Sequence, residues 1–126
     1  MADVLVDTSV WIEFFRNEKG SCGDLLENLL EEDRVVLCGI VEMEISQGLR
    51  KKEQQEIQSV FEMIPYIDIT REDYIAAGTL WQALRKKGET IPSTDCLIAE
   101  LCLRHEFSLF SLDTHFDKIK RLKRLR

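Results

Sequence analysis

Short apolar runs alternate with longer amphipathic segments along the whole chain, and this alternation constrains the fold most. Strands are predicted at Val4–Val6, Val35–Cys38, 66–69 and 107–112. Helical stretches separate them, so successive strands must be joined by crossovers and run parallel. The prediction is an α/β fold, with helices on both faces of a mainly parallel sheet. The sheet has four or five strands, depending on whether residues 122–125 form an edge strand or a frayed tail.

The segments between these strands have helical periodicity. Helices are predicted at Thr8–Arg16, 21–32, 40–49, 51–63, 72–87, 94–105 and, as a short last helix, 113–120. A break is predicted at 17–20, a capping box at 21–24 starts the second helix, and Gly88 ends the fifth. Ligands of open parallel sheets bind beyond the carboxyl ends of the strands, so functional residues are expected there.

Length and composition limit the class of protein. At roughly 150 residues per domain, the 126 residues predict a single domain, 1–126. The longest stretch without a charged side chain, 74–84, is too short to cross a bilayer, and the first residues do not resemble a secretory signal. Four cysteines without a Cys-x-x-Cys pair, and two histidines that complete no zinc pattern, predict reduced, packed thiols. A cytoplasmic protein is predicted.

The net charge of −6 is unevenly distributed. Residues 118–126 hold six basic side chains and no acid, which leaves 11 basic against 23 acidic side chains in the rest of the chain. An acidic body is atypical of a protein that holds nucleic acid by electrostatics alone. It is explained more simply if some of the carboxylates hold metal ions.

Three aspartates occupy positions that suit such a site. Asp7 and Asp113 each follow a predicted strand, although either alone is typical of a helix cap or a turn. Asp95 stands in the first turn of its helix, and the residues three, four and seven positions further on are apolar. A carboxylate at the head of a buried face needs a cation or several hydrogen-bond donors.

Glu44 is a fourth inward acid, on the helix that follows the second strand. Its neighbours three and four positions away include Ile40, Val41 and Gly48, which puts Glu44 on or beside the apolar face. Glu42 is about 200° away around the helix at ~100° per residue, so its side chain is predicted to be solvated.

Four inward acids in four separate segments favour a metal site. Clustered without cations, the carboxylates would repel and raise one another's pKa. Ligand sets made only of oxygen suit Mg²⁺ or Mn²⁺ rather than zinc. A carboxylate-held Mg²⁺ lowers the pKa of a coordinated water and neutralises charge on a phosphoryl oxygen. The pattern therefore predicts phosphodiester hydrolysis.

Four segments of the sequence resemble the motifs of PIN-domain nucleases. They are Leu5-Val6-Asp7-Thr8-Ser9-Val10-Trp11-Ile12, Glu44-Ile45-Ser46-Gln47-Gly48, Asp95-Cys96-Leu97-Ile98-Ala99 and Ser111-Leu112-Asp113-Thr114-His115-Phe116. Their order and spacing fit the family over essentially the whole chain, although the family often has threonine where this chain has Ser111. Each motif alone is weakly specific, but four in order are a strong signal.

Small single-domain members of this family are mostly VapC-type toxins. The resemblance implies a Mg²⁺- or Mn²⁺-dependent endoribonuclease, usually a homodimer, that is silenced by a cognate VapB-type antitoxin. By this likeness the residues of the catalytic metal site would be Asp7, Glu44, Asp95 and Asp113. The hydroxyl groups beside the site would come from Thr8, Ser9 and Ser111.

The mechanism expected from this likeness needs no histidine or lysine as acid or base. The three aspartates would hold one Mg²⁺, directly or through water, and Glu44 would be a further ligand or would orient the attacking water. A second metal would join with the substrate phosphate. Neither histidine has a catalytic neighbour in the sequence, so His115→Ala should leave substantial activity. Asp117 is expected to be solvated rather than to orient waters of a second metal.

The basic C-terminal segment has two interpretations that the sequence leaves open. The candidate contacts for RNA phosphates are Lys118, Lys120, Arg121, Lys123, Arg124 and Arg126. Alternatively, a terminus rich in lysine and arginine keeps an acidic protein soluble and protects a sheet edge.

Two stripes of large side chains are interpreted first as core. The stripes are Trp11, Phe14 and Phe15 on one helix, and Tyr74, Ala77, Trp81 and Leu84 on another. The alternative is a groove for an antitoxin helix or the seam of a dimer.

Two other functions compete with a nuclease. A phosphatase with an aspartyl nucleophile would usually need a second aspartate two residues after Asp7, where this chain has Ser9. A non-catalytic PIN-like module that binds RNA or protein would keep the same fold, but the presence of all four acids argues against it.

Overall fold

Five short strands form one parallel sheet in a computed structural model that describes residues 2–16 and 21–125. The strands are β1 (Val4–Val6), β2 (Val35–Cys38), β3 (Tyr66–Ile67), β4 (Ser108–Phe110) and β5 (Arg124–Leu125). Their order in the sheet is β3-β2-β1-β4-β5, and all four neighbouring pairs are parallel. Every residue of β1 and β2 is buried, so helices cover both faces of the sheet. The predicted α/β fold is confirmed, and the segment 122–125 contains an edge strand.

Six α-helices and one short 3₁₀ helix connect the strands in the described residues. They are α1 (Thr8–Arg16), α2 (Ser21–Glu31), α3 (Gly39–Gly48), α4 (Lys51–Phe61), α5 (Arg71–Lys86), α6 (Ser93–His105) and the 3₁₀ helix Thr114–Lys118. α5 begins with a reciprocal cap, in which the Thr70 hydroxyl accepts the backbone N–H of Asp73 and the Asp73 carboxylate accepts that of Thr70. Gly88 follows α5 with a φ of +80°, which favours glycine.

Several boundaries differ from the sequence prediction. β3 covers two residues rather than 66–69, because the cap at Thr70 turns the chain into α5. β4 is shorter than 107–112, and the last helix is a five-residue 3₁₀ helix rather than 113–120. The side chain of Asp113 accepts the backbone N–H of His115 and so caps this helix. The predicted break at 17–20 and the side chain of Ser21 lie outside the described residues.

The stripe on α1 belongs to the core, whereas the stripe on α5 belongs to it only in part. Trp11 is fully buried, its ring centroid lies 5.1 Å from that of Phe61, and Phe14 and Phe15 pack against it. On α5, Ala77 and Leu84 are buried and Trp81 is half-buried. The interpretation of Tyr74 as core is wrong, because this side chain is 57% exposed.

The four cysteines are free thiols, as the sequence predicts. Three of them, Cys38, Cys96 and Cys102, are buried, and Cys22 is partly buried. Burial raises the pKa of all four thiols, which keeps them protonated and unreactive near neutral pH.

None of the helices in the described ranges combines the length and the apolar composition needed to cross a bilayer.

Candidate metal centre

The carboxyl ends of the three central strands bring the four predicted acids to one edge of the sheet. Asp7 follows β1 directly, Asp113 follows β4, Glu44 lies on α3 immediately after β2, and Asp95 lies in the first turn of α6. The four carboxylates are close enough to influence one another's ionisation. The charges of Asp7 and Asp95 act to raise the pKa of Glu44, and those of Asp7 and Asp113 act to raise the pKa of Asp95. The structure therefore gathers residues that are up to 106 positions apart in the chain.

Two serine hydroxyls hold the carboxylate of Asp7, which is only 6% exposed. Oδ2 of Asp7 accepts the hydroxyl of Ser9 at 3.0 Å and that of Ser111 at 2.7 Å. The same serine oxygens accept backbone N–H groups that follow β4, of Leu112 for Ser9 and of Asp113 for Ser111, both at 3.1 Å. The two hydroxyls thus tie Asp7 to the segment that carries Asp113.

The third predicted hydroxyl, that of Thr8, serves Glu44. Thr8 Oγ1 donates to Glu44 Oε1 at 2.9 Å, which joins the start of α1 to α3. Burial raises the pKa of the Glu44 carboxyl, and the nearby Asp7 and Asp95 raise it further, while the Thr8 hydrogen bond opposes the shift. Glu42, which the sequence predicts to be solvated, is half-buried, and its charge acts on the phenol of Tyr66.

His115 lies between Asp95 and Asp113, a contact that the sequence analysis missed. Its Nε2 lies 2.5 Å from Asp95 Oδ2, and its Nδ1 lies 2.7 Å from Asp113 Oδ1. Burial raises the pKa of Asp95, as do the charges of Asp7 and Asp113, whereas the hydrogen bond and charge of His115 act to lower it. The only signal in the sequence is that His115 follows Asp113 by two residues, and this spacing says nothing about Asp95.

The donor set fits a hard divalent cation. One ligand atom from each of Asp95, Asp113 and His115 lies within 4.8 Å of the other two. Asp7 and Glu44 add carboxylate oxygens to the same edge, and burial, reinforced by the neighbouring carboxylates, raises the pKa of both Glu44 and Asp95. Carboxylate-rich sets of this kind suit Mg²⁺ and Mn²⁺.

The basic side chains of the C-terminal segment have different environments. Lys118, Lys120 and Arg121 line a cavity of about 460 Å³ together with Lys87, which follows α5. Lys118 Nζ also lies 3.0 Å from Glu89 Oε2. Lys123 is exposed, and Arg126 lies outside the described residues.

Arg124 differs from these residues because its side chain is only 10% exposed. Its guanidinium contacts Asp117 and two backbone carbonyl groups. Asp117 is exposed, as the sequence predicts, and it also forms an ion pair with Arg124.

Comparison with known proteins identifies relatives over nearly the whole chain. Residues 4–122 match the PIN domain family. Ribonuclease VapC11 of Mycobacterium tuberculosis is 33% identical to this chain, over 97% of this chain and 95% of that protein. Ribonuclease VapC1 of Methanocaldococcus jannaschii is 27% identical, over 93% of this chain and 81% of that protein. Among solved structures, DNA-bound VapBC from Salmonella typhimurium has the same fold, with a TM-score of 0.84 at 18% identity over 99% of this chain and 98% of that one.

Proposed function

The chain belongs to the PIN-domain family, and from this premise we propose that it is an endoribonuclease toxin of the VapC type that needs Mg²⁺ or Mn²⁺. It hydrolyses phosphodiester bonds of RNA. The observation that carries the proposal is the convergence of Asp7, Glu44, Asp95 and Asp113 at the carboxyl edge of the sheet. Its relatives, the VapC11 and VapC1 ribonucleases, support the choice of RNA as substrate.

The metal would be held by the three aspartates, with Glu44 either as a further ligand or as the group that orients the attacking water. When bound, Mg²⁺ or Mn²⁺ lowers the pKa of a water molecule and neutralises charge that develops on the phosphoryl oxygens. The Thr8 hydroxyl holds Oε1 of Glu44, so this carboxylate would be available in a fixed orientation to orient that water.

The surrounding hydroxyl groups keep these carboxylates in place. Ser9 and Ser111 hold Oδ2 of Asp7, and Thr8 holds Oε1 of Glu44, so neither carboxylate needs to reorient during the reaction. When His115 is protonated, its imidazolium offsets the charge of Asp95 and Asp113.

The RNA chain is proposed to run along the cavity lined by Lys87, Lys118, Lys120 and Arg121. Lys118 ends the 3₁₀ helix that begins directly after Asp113, so the segment that carries one of the four acids also contributes a lysine to the cavity. Four cationic side chains surround this cavity, and among the described residues the one acid in its lining, Glu89, pairs with Lys118. This excess of positive charge, on an otherwise acidic protein, suits the phosphates that flank the scissile bond. Lys123 and Arg126 are further candidate contacts.

The proposed partners follow from the family. Several structural neighbours are VapBC complexes, and this supports a VapB-type antitoxin as the inhibitor of this chain. The proposal also includes a homodimer, a single domain formed by residues 1–126, and action in the cytoplasm.

The experiment that tests this function is cleavage of total RNA by purified protein, separately with Mg²⁺, with Mn²⁺ and with EDTA. Asp7→Asn is assayed beside Glu42→Gln, a matched control that removes an acid whose charge acts on the Tyr66 phenol. Cleavage by the wild type and by Glu42→Gln, but not by Asp7→Asn or in EDTA, is the expected result. If folded protein that is free of co-purified inhibitor binds RNA but cuts none with either metal, the chain is a binding module instead.

A further inference from the structure

The guanidinium of Arg124 faces the interior rather than the solvent. Nη2 donates to the backbone carbonyl of Ser111 at 2.9 Å and to that of Asp113 at 3.3 Å. Nη1 donates to Asp117 Oδ1 at 2.7 Å, and the guanidinium carbon lies 5.8 Å from the centre of the Phe116 ring. One side chain thus contacts four residues of the segment that follows β4.

This segment carries several groups of the candidate metal centre. Ser111 donates to Asp7, Asp113 is one of the four acids, and His115 contacts both Asp113 and Asp95. The carbonyls that Arg124 binds belong to Ser111 and Asp113 themselves, so the guanidinium sets the path of the backbone on both sides of Leu112.

The position of Arg124 in the sheet makes it a fixed anchor. Arg124 lies on β5 in register with Leu109 of β4, and Leu109 N donates to the carbonyl of Lys123 at 2.8 Å. Because the edge strand is hydrogen-bonded to β4, the arginine side chain reaches back over the segment from a position that the sheet defines.

We propose that Arg124 is a positioning residue for the metal centre, and that it acts by holding the segment from Ser111 to Asp117 in the conformation that presents Asp113 and His115. The inference rests on the proposed function and assigns Arg124 this task instead of a contact with RNA. A planar guanidinium can bind two carbonyls and a carboxylate together, whereas a lysine ammonium offers no such fork.

The variants that test the inference are Arg124→Ala, Arg124→Lys and the matched control Arg34→Ala. Arg34 also binds a backbone carbonyl, that of Ala2, and an acid, Glu32, but it precedes β2 at the opposite edge of the sheet. The first readout is Mn²⁺ affinity, measured by calorimetric titration in the absence of RNA. The second is the NMR spectrum of the His115 imidazole in metal-free protein.

We expect Arg124→Ala to weaken Mn²⁺ binding by about tenfold or more, as for other residues that orient metal ligands. The His115 signals should shift, Arg124→Lys should recover only part of the affinity, and Arg34→Ala should keep wild-type affinity even if its melting temperature falls. Wild-type Mn²⁺ affinity and unshifted His115 signals in folded Arg124→Ala or Arg124→Lys would overturn the inference.

Kinetics with RNA separate positioning from substrate binding. A positioning role predicts that Arg124→Ala lowers kcat while KM and the salt dependence of RNA binding change little. A raised KM, and a salt slope that is lower by about 1, would instead identify Arg124 as a phosphate contact and overturn the inference. If the wild type binds Mn²⁺ but cuts no RNA, the proposed function fails, while the Mn²⁺ titration and the NMR spectra still decide the role of Arg124.

Discussion

Ser111 donates its hydroxyl to Asp7 Oδ2 at 2.7 Å and thereby joins the carboxyl ends of β4 and β1. The hydroxyl oxygen of Ser111 also accepts the backbone N–H of Asp113 at 3.1 Å, so this one side chain contacts two of the four acidic residues. Threonine could make the same two hydrogen bonds, because both side chains carry a hydroxyl on Cβ.

Two substitutions of Ser111 should distinguish the effect of losing its hydroxyl group from the effect of changing the size of the side chain. Ser111→Ala is expected to lower the free energy of unfolding by about 1 kcal/mol and to weaken metal binding, because Asp7 loses a buried donor. Ser111→Thr should keep both properties near the wild type. Urea denaturation and Mn²⁺ titration of the two variants measure these effects, and equal behaviour of alanine and threonine would contradict the prediction.

Asp95→Asn should change the response of the protein to metal ions. In EDTA, this variant is expected to be at least as stable as the wild type, because it removes one of several carboxylates that repel one another. A metal present at 100 times its dissociation constant stabilises the wild type by about 2.7 kcal/mol, and this gain should largely vanish in the variant. Melting temperatures with Mn²⁺ and with EDTA provide the measurement, with Glu42→Gln as the control that keeps the gain.

His115→Ala should retain substantial ribonuclease activity at saturating Mg²⁺, since all four carboxylates are still present. A general acid or base usually contributes about 100-fold or more to the rate, so a loss well below that factor is expected. The measurement is kcat on a defined RNA. A variant that is inactive, yet folded and able to bind metal, would show that the imidazole takes part in proton transfer.

The ion pair between Asp73 and Arg104 predicts a pH dependence of stability. Burial acts to raise the pKa of Asp73, but hydrogen bonds from Arg104 and Thr70 outweigh it and hold the pKa below its usual value. A lowered pKa stabilises the fold above the usual carboxyl range, and this contribution is lost as the pH falls through the lowered value. Asp73→Asn should therefore lower the melting temperature at pH 7, and its difference from the wild type should shrink in strong acid. A difference that is unchanged at low pH would contradict this.

The basic cavity predicts which lysines and arginines matter for RNA. Each of Lys120→Ala and Arg121→Ala should lower the salt slope of RNA binding by about 1, since each removes one phosphate contact. Filter binding in EDTA at several salt concentrations measures the slope without cleavage. Lys51→Ala, at the exposed start of α4, is the control and should leave the slope unchanged. Truncation of the whole tail is less informative because it also removes Arg124.

Much of the architecture can be predicted from local sequence patterns. The strand Val4–Val6 and the helix Thr8–Arg16 have the predicted bounds, since burial on both faces of a strand and on one face of a helix produces recognisable periodicities. Tyr74 shows where this fails, because it lies on the apolar stripe of α5 and yet its side chain is 57% exposed.

The four acids of the candidate site can also be found from the sequence, because each stands at the carboxyl end of a strand or on the inward face of a helix. The tertiary structure alone decides the contacts between distant segments. Asp95 and His115 are 20 residues apart, and Arg124 meets Ser111 only because β5 pairs with β4. Periodicity reports which face of an element is buried, whereas the partner of a polar side chain depends on how separate elements pack. That packing is set by the whole core and not by any one segment.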